Sequence, residues 1–486
     1  MRLAASLAAL AIALSASASV AGAQSHPIQT SLQEGGAIFD RPTAPVAMAH
    51  IRAAGASWVR MDVDWRDIAP QGTSKPPGFD ASNPSDPNYA WAGLDWAVRQ
   101  AVANGLTPFI DISEAPSWAE RASGGRPGVQ NPDPAELAAF ARAAALRYSG
   151  RYGGLPRVPA WEVWNEINAS FFFQPQWKDS PGEALSPVLY RTMVNDFAAA
   201  VHGVDPTNLV VAGALYPFAL DRPTGQAIPP LEFLRDFLCL TKKLRVIPGC
   251  GDPVHFDVLS HHPYTSGEPL HQVLGADSVS IGQLPKMAKL LRAAVRQGRV
   301  ISSRPVAFWV TEFGWDTNPP DPQGVPVALQ ARWISEGLYR MWKAGVSVAS
   351  WFKMRDGSGS SRFRDGLYYV CPQDPDNLTC DRPKLSFNSF RFPFAAFRRK
   401  HRRIYVWGRV PGSVSGTVVV EQQRHGRYRP VAKLRSDRWG IFQLTLSRRK
   451  SKSAGKLRAR LADRSAYSLP FSLRRPPDFQ ISPPVG

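Results

Sequence analysis

The 486-residue chain holds only 4 Cys. That is too few for a disulfide scaffold, and a chain of this length buries an ordinary core without one. Beyond the N-terminal stretch no run of about 18 apolar residues occurs, which excludes a later membrane-spanning helix. Charged residues make up only 20% and hydrophobic residues 44%, so the chain is not disordered throughout. There is no Walker loop, no H-E-x-x-H and no G-x-S-x-G. The nearest approach to the last, Gly412-Ser-Val-Ser415-Gly416, has the wrong spacing. P-loop, zincin and serine-hydrolase chemistry therefore have no sequence support.

What is present begins at the N-terminus. Arg2 precedes an apolar stretch over 3–14, and Ala21-Gly22-Ala23 has the form of a signal-peptidase site. The stretch is too short to span a bilayer. Residues 1–23 are expected to be a secretory signal, with Gln24 as the new N-terminus and an extracellular or cell-wall destination. Export permits disulfides. The cysteines fall as two local pairs, Cys239 with Cys250 and Cys371 with Cys380, although sequence alone does not fix the pairing. Zinc is the competing reading, but neither pair has C-x-x-C spacing or a His at ligand spacing.

The net charge of +19 is concentrated. Residues 398–475 carry 22 Lys and Arg against three acids, Glu421, Asp437 and Asp463, and the rest of the chain is balanced. A neutral body followed by a basic module argues for a boundary near residue 397. Such a module favours polyanions such as cell-wall polymers, acidic polysaccharides or anionic head groups; the plainer alternative is a solubilising face. Nucleic acid lacks an accompanying recognition motif.

Residues 24–34 are polar and read as a loose segment. From there short apolar runs alternate with helical patterns. Eight candidate strands lie at 37–39, 57–63, 107–112, 160–163, 209–212, 255–259, 306–310 and 346–350. Helix signals lie between them, as at 134–148, 186–201, 285–296 and 326–343, with Pro in the first turn. Eight βα units make a (β/α)₈ TIM barrel over 35–397; an open sheet is the alternative, but no Gly-rich phosphate fingerprint follows the first strand. Residues 398–475 show short alternating runs broken by Gly, Pro and Ser, which suggest an all-β sandwich. Residues 476–486 are Pro-rich and expected to be unstructured.

Two carboxylates stand out by position. Trp161-Glu-Val-Trp-Asn165-Glu166 ends the fourth candidate strand, and Thr311-Glu312-Phe313-Gly314-Trp315 ends the seventh. In a barrel all strand C-termini face one pocket, so the two acids can meet across a cleft. A carboxylate pair is what glycosidic cleavage requires: one group protonates the leaving oxygen, and the other attacks the anomeric carbon or activates water. Aromatic residues suited to sugar faces follow the strand ends, among them Trp65, Trp118, 171–173, Trp177, Trp315 and Trp351. Asp111 and Glu114 remain open between structural and sugar-binding roles. His261-His262 has no companion metal-ligand spacing.

These motifs resemble clan A retaining glycoside hydrolases, with families 39 and 5 closest, over roughly residues 35–395. The resemblance implies Glu166 as general acid/base, Glu312 as nucleophile and Asn165 on the sugar 2-hydroxyl. It places Arg60 beside the nucleophile, His262 and Tyr264 after strand six, and Trp351 as a stacking ring. It implies a secreted hydrolase of an oligo- or polysaccharide that needs no cofactor and no metal. The rival reading is a non-catalytic glycan- or cell-wall-binding protein with a glycosidase-like barrel.

Overall fold

The computed structural model describes residues 26–178, 182–219, 226–273, 275–359, 361, 363–401, 403–447 and 455–481. The expected signal segment 1–23 lies outside them. The barrel strands are β1 (Gln29–Gln33), β2 (Trp58–Asp64), β3 (Thr107–Ser113), β4 (Ala160–Val163), β5 (Leu209–Leu215), β6 (Val258–His261), β7 (Ala307–Val310) and β8 (Val346–Phe352). All pair in parallel, and β1 closes the barrel by pairing with both β2 and β8. The main surrounding helices are α1 (Ala44–Ala53), α2 (Ala92–Ala103), α3 (Pro134–Arg147), α4 (Ser186–Val204), α5 (Pro230–Phe237), α6 (Leu284–Arg296), α7 (Val327–Ala344) and α8 (Leu385–Arg391). Local chemistry starts them as expected. Asp133 accepts from the amides of Ala135 and Glu136, with Pro134 opening α3. Gly345, at φ 98°, ends α7 in the left-handed conformation that favours glycine.

The first strand differs from expectation. Residues 36–38 form a 3₁₀ turn, and the strand lies at Gln29–Gln33 within the segment read as loose. Its sequence, Gln-Thr-Ser-Leu-Gln, is polar, yet four of its five residues are buried. Gln33 accepts from Arg60 at 2.9 Å, and Arg409 donates to the Thr30 hydroxyl at 3.2 Å. Leu32 is the strand's buried apolar side chain, and its polar side chains are satisfied by hydrogen bonds from buried cations, which hydropathy does not register.

The C-terminal region is two three-stranded antiparallel sheets. One contains β9 (Phe394–Arg399), β10 (Arg403–Arg409) and β13 (Ile441–Ser447). The other contains β11 (Thr417–Arg424), β12 (Arg427–Arg435) and β14 (Leu457–Leu461). The boundary expected at 397/398 falls inside β9. That strand starts at Phe394, whose amide donates to Ser335 on α7. Trp407 lies 5.6 Å from Tyr339 and 5.8 Å from Trp342, also on α7. Fully buried Arg409 donates to the carbonyl of Ile28 at 3.0 Å. The sheets thus share their apolar interior with the barrel. The expected free tail also docks in part, because the amide of Ile481 donates to Ser266 and its side chain is buried.

Both local cysteine pairs are disulfides, Cys239–Cys250 and Cys371–Cys380, which leaves no free thiolate for zinc. Among the described residues no helix is long and apolar enough to cross a membrane.

Candidate active site

The strand register builds the floor of the C-terminal mouth. Arg60, Asp62 and Asp64 alternate along β2, so all three face the same side. Asp62 is level with Asp111 on β3, and Asp111 with Glu162 on β4. Three carboxylates therefore form one layer inside the barrel. Arg60 is their shared counterion and is fully buried. Its Nε donates to Glu162 at 2.9 Å, and Nη1 lies 2.8 Å from Asp62. Nη1 also donates to Glu312 at 2.6 Å, and Nη2 to the Asn165 side chain at 3.0 Å. Burial works against its charge, but Asp62, Glu162, Asp111 and Glu312 outweigh it and hold the guanidinium firmly protonated.

Glu166 and Glu312 do meet. One oxygen of each lies within 4.8 Å of the other and of a ring nitrogen of His262. The chain reaches this geometry through a tight turn after β4, where Trp164 and Glu166 adopt positive φ values of 71° and 41°. Such values are strained for non-glycine residues and cluster where function over-determines the backbone. The amide of Glu166 is anchored to Ala214 on β5 at 3.0 Å. Glu312 follows β7, where the preceding amide, Thr311, donates to His261 at 3.3 Å.

The two acids have opposite surroundings. Glu312 accepts from Arg60 on one oxygen and from the Tyr264 hydroxyl at 2.9 Å on the other. Burial pushes its carboxyl up to about 7, with Arg60 and the Tyr264 hydrogen bond pulling the other way. Glu166 has no Arg or Lys at ion-pair distance among the described residues; it shares a 2.9 Å hydrogen bond with Nδ1 of His262. Burial, and then the charge of Glu312, drive its carboxyl well above the usual range. Tyr264 is held protonated by burial and by Glu312.

A cavity of about 290 Å³ opens above these groups. Asn165, Glu166, Tyr264 and Glu312 line it with Asp62, Asp64, Asp111, Glu114 and the rings of Phe172, Phe352 and Phe363. Of the expected substrate contacts, Asn165 and Tyr264 thus reach the cavity. Arg60 lies beneath it. His262 is fully buried, with Nε2 at 3.1 Å from the Thr311 hydroxyl. Burial, Arg60 and His261 push its pKa well down, so it acts as a neutral bridge that orients Glu166.

The expected tryptophan platforms are not in the cavity wall. Trp315 and Trp351 are 0% exposed. Their N–H groups donate to the backbone of Gly267 and Asp365, and the rings pack on one another at 6.0 Å. Trp118 donates to Pro70 and packs edge-on against Trp65 and Phe79. Tryptophans after strand ends were consistent with core or cleft, and here the core claimed them. The phenylalanines take their place at the cavity. Gln33, Asp62, Asp64, Ser113 and Glu162 had not been singled out. The readable signal was the polar alternation Arg60, Asp62, Asp64 and Asp111, Ser113 within otherwise apolar strands.

No protein-family model matches the chain, and no curated protein matches it. Its neighbours among solved structures include clan A glycoside hydrolases of families 39, 5 and 30. A family 39 glycoside hydrolase from the gut symbiont Bacteroides cellulosilyticus WH2 is 17% identical, with a TM-score of 0.51 over 87% of this chain and 79% of that one. A broad-specificity family 5 endoglucanase from Clostridium acetobutylicum is 14% identical, with a TM-score of 0.44 over 70% and 91%. A family 30 endoxylanase from Clostridium papyrosolvens C71 is 13% identical, with a TM-score of 0.44 over 87% and 94%. The family 39 likeness shows the fold, a (β/α)₈ barrel.

Proposed function

We propose that the chain is a secreted, retaining β-glycoside hydrolase acting on an oligo- or polysaccharide. The observation that carries the reading is the Glu166–Glu312 pair. Their nearest oxygens lie within 4.8 Å at the mouth of the barrel, and only Glu312 is paired with a cation. Retaining sites hold their carboxyls about 5–5.5 Å apart, whereas inverting sites need about 6.5–9.5 Å to admit a water.

The asymmetry of the two acids supports the division of roles. Arg60 and Tyr264 favour the ionised form of Glu312, so it is the nucleophile. Glu166 keeps its proton, so it is the acid. Attack by a Glu312 oxygen on the anomeric carbon breaks the bond to the leaving oxygen, which takes the proton of Glu166. The Glu312 charge is then lost in the glycosyl ester, and the pKa of Glu166 falls with it. As base, Glu166 takes a proton from water while the water oxygen bonds to the anomeric carbon and the ester bond breaks. Asn165, oriented by Arg60, is placed to donate from its free amide to the sugar. Phe172, Phe352 and Phe363 supply flat apolar walls. No step calls for a cofactor.

An activated 2-deoxy-2-fluoro-glycoside panel with peptide mass mapping tests this. Label on Glu312 is expected. Label on another residue overturns the roles, and glycan affinity with neither label nor turnover returns the protein to the non-catalytic binding class. The signal-like N-terminus, the two disulfides and the basic C-terminal sheets support export and retention on polyanionic wall polymer or exopolysaccharide. Retention that falls steeply with salt supports the tether, because counterions screen exposed charge.

A further inference from the structure

Surface cations on the barrel sit beside carboxylates, as Lys75 does with Glu136, Arg121 with Asp133 and Arg340 with Glu336. The outer face of α6 is different. Its Leu284, Met287, Leu290 and Leu291 turn inward, and Lys286, Lys289, Arg292 and Arg296 turn to solvent along one face. Beside it lies the loop closed by Cys239–Cys250, which exposes Lys242, Lys243 and Arg245. Among the described residues none of these cations has a carboxylate at ion-pair distance or a side-chain hydrogen bond. The loop has a fixed shape. Leu240 pairs antiparallel with Val246, and the amide of Thr241 donates to Arg245 at 2.8 Å. The end of α6 clamps it: Gln297 donates to the carbonyl of Leu244 at 2.7 Å, and Arg299 to those of Gly251 and Asp252 at 2.7 and 2.9 Å. A hydrogen bond from Arg235, with the charges of Lys242 and Lys286 behind it, holds the Asp277 carboxyl below its usual range, so loop and helix cations share one field.

Helix stability does not account for this stripe. Like charges three and four residues apart repel along a helix. Lys286 lies in the first turn, where the helix dipole favours an anion, and that turn holds no acid. Only Arg296, in the last turn, complements the dipole. Unpaired positive charge on a rigid surface is instead the complement of a polyanion. A nucleic-acid strand needs aromatic rings on which bases stack, and neither segment contains one. A bilayer needs a protruding apolar anchor; Val246, Ile247 and Val295 are only 37%, 36% and 39% exposed and sit among the cations. The helix places a cation about every 4.5–6 Å over about 15 Å, which suits an extended chain with a charge on each unit. We infer that the outer face of α6 and the Cys239–Cys250 loop bind a linear acidic polysaccharide with a carboxylate on each repeat. The choice of a polysaccharide among polyanions rests on the glycosidase reading; the surface does not. Because α6 follows the loop from β6, Lys286 stands at the mouth end and Arg296 at the foot. A bound chain lies along the outer wall beside the mouth.

The test titrates polygalacturonate, dextran, phosphatidylglycerol vesicles and single-stranded oligothymidylate onto full-length Glu166→Gln protein at low and moderate salt. Three sets of exposed substitutions are added to this background. One combines Lys286→Gln, Lys289→Gln and Arg292→Gln; the second combines Lys243→Gln and Arg245→Gln; the third, on β12, combines Lys433→Gln and Arg435→Gln. Polygalacturonate is expected to bind and dextran not. The helix set and the loop set are each expected to weaken that binding at least about ten-fold and to flatten its salt dependence. Unchanged binding in both, loss in the β12 set alone, or tighter binding of vesicles or oligothymidylate than of polygalacturonate overturns the inference. A second arm places the helix and loop sets in the otherwise wild-type chain, where hydrolysis of small activated glycosides is expected to be unchanged. Polymer binding that depends on α6, without turnover or Glu312 label, sinks the hydrolase and leaves the surface. Turnover without such binding sinks the surface and leaves the hydrolase.

Discussion

Replacing Glu312, the proposed nucleophile, is expected to stabilise the protein, by an amount that grows as pH rises from about 4.5 to about 7. Folding moves Glu312 from 4.5 to about 7, chiefly through burial. A carboxyl raised on folding loses stability as pH climbs from its unfolded value through its folded one. Below about pH 4.5 both states are protonated and nothing is lost; above about pH 7 the full cost of about 3 kcal/mol is present. The Glu312 side chain is 8% exposed, so solvent screens little of it. In Glu312→Gln the amide oxygen still accepts from Arg60, which keeps Asp62, Asp111 and Glu162 as counterions. Tyr264 loses its carboxylate acceptor, an offset of about 1 kcal/mol. The net gain is about 2 kcal/mol at about pH 8 and near zero or slightly negative at about pH 4. At an unfolding entropy of ~2.1 cal/mol/K per residue, that gain raises Tm by about 2 °C. Calorimetric melts of both proteins at the two pH values measure it. A lower Tm for Glu312→Gln at the alkaline pH, or the same difference at both, refutes the reasoning.

Glu166→Ala is expected to lower kcat/KM on an unactivated glycoside by about 10²–10⁴, with much of the loss recovered on an aryl glycoside whose leaving group needs no proton. Its pH profile should lose the alkaline limb, because the raised Glu166 carboxyl is the group that must stay protonated. Arg60→Met strands four carboxylates and is expected to cost about 3–5 kcal/mol in denaturant melts. The acid limb of activity should move to higher pH as Glu312 loses its cation, with Arg60→Lys partly restoring both. Removing Cys239–Cys250, which closes a loop of sequence separation 11, is expected to cost about 3 kcal/mol, read by melting with and without reductant. Truncation after residue 397 should give insoluble barrel rather than a free catalytic domain, because it deletes Trp407 from the face of α7; a soluble, cooperatively melting 24–397 fragment would show the two parts to be independent.

Several features were legible in one dimension because they are local. The repeat of short apolar strands with Pro-started helices carries the barrel. Trp-Asn-Glu and Thr-Glu-Phe-Gly-Trp mark the ends of β4 and β7, and the closed topology brings those ends to one mouth. Clustered Lys and Arg mark the C-terminal sheets by their charge, although those sheets share their apolar interior with the barrel. The resemblance placed Arg60 beside Glu312 and Tyr264 after strand six; the Arg60–Glu312 contact is present, and Tyr264 donates to the same carboxylate.

Other features depend on partners distant in sequence. β1 is polar because its hydrogen-bond partners, Arg60 and Arg409, arrive from 27 and 379 residues away. Burial of Trp315 and Trp351 is a packing outcome, since a ring after a strand can turn inward or outward until its neighbours fill the space. The layer of Asp62, Asp111 and Glu162 exists only through strand register, which no single strand encodes. The sequence by itself determined which acids stand at strand ends. Tertiary structure alone decided which of them keeps its proton, because that depends on burial and on where one buried arginine is shared.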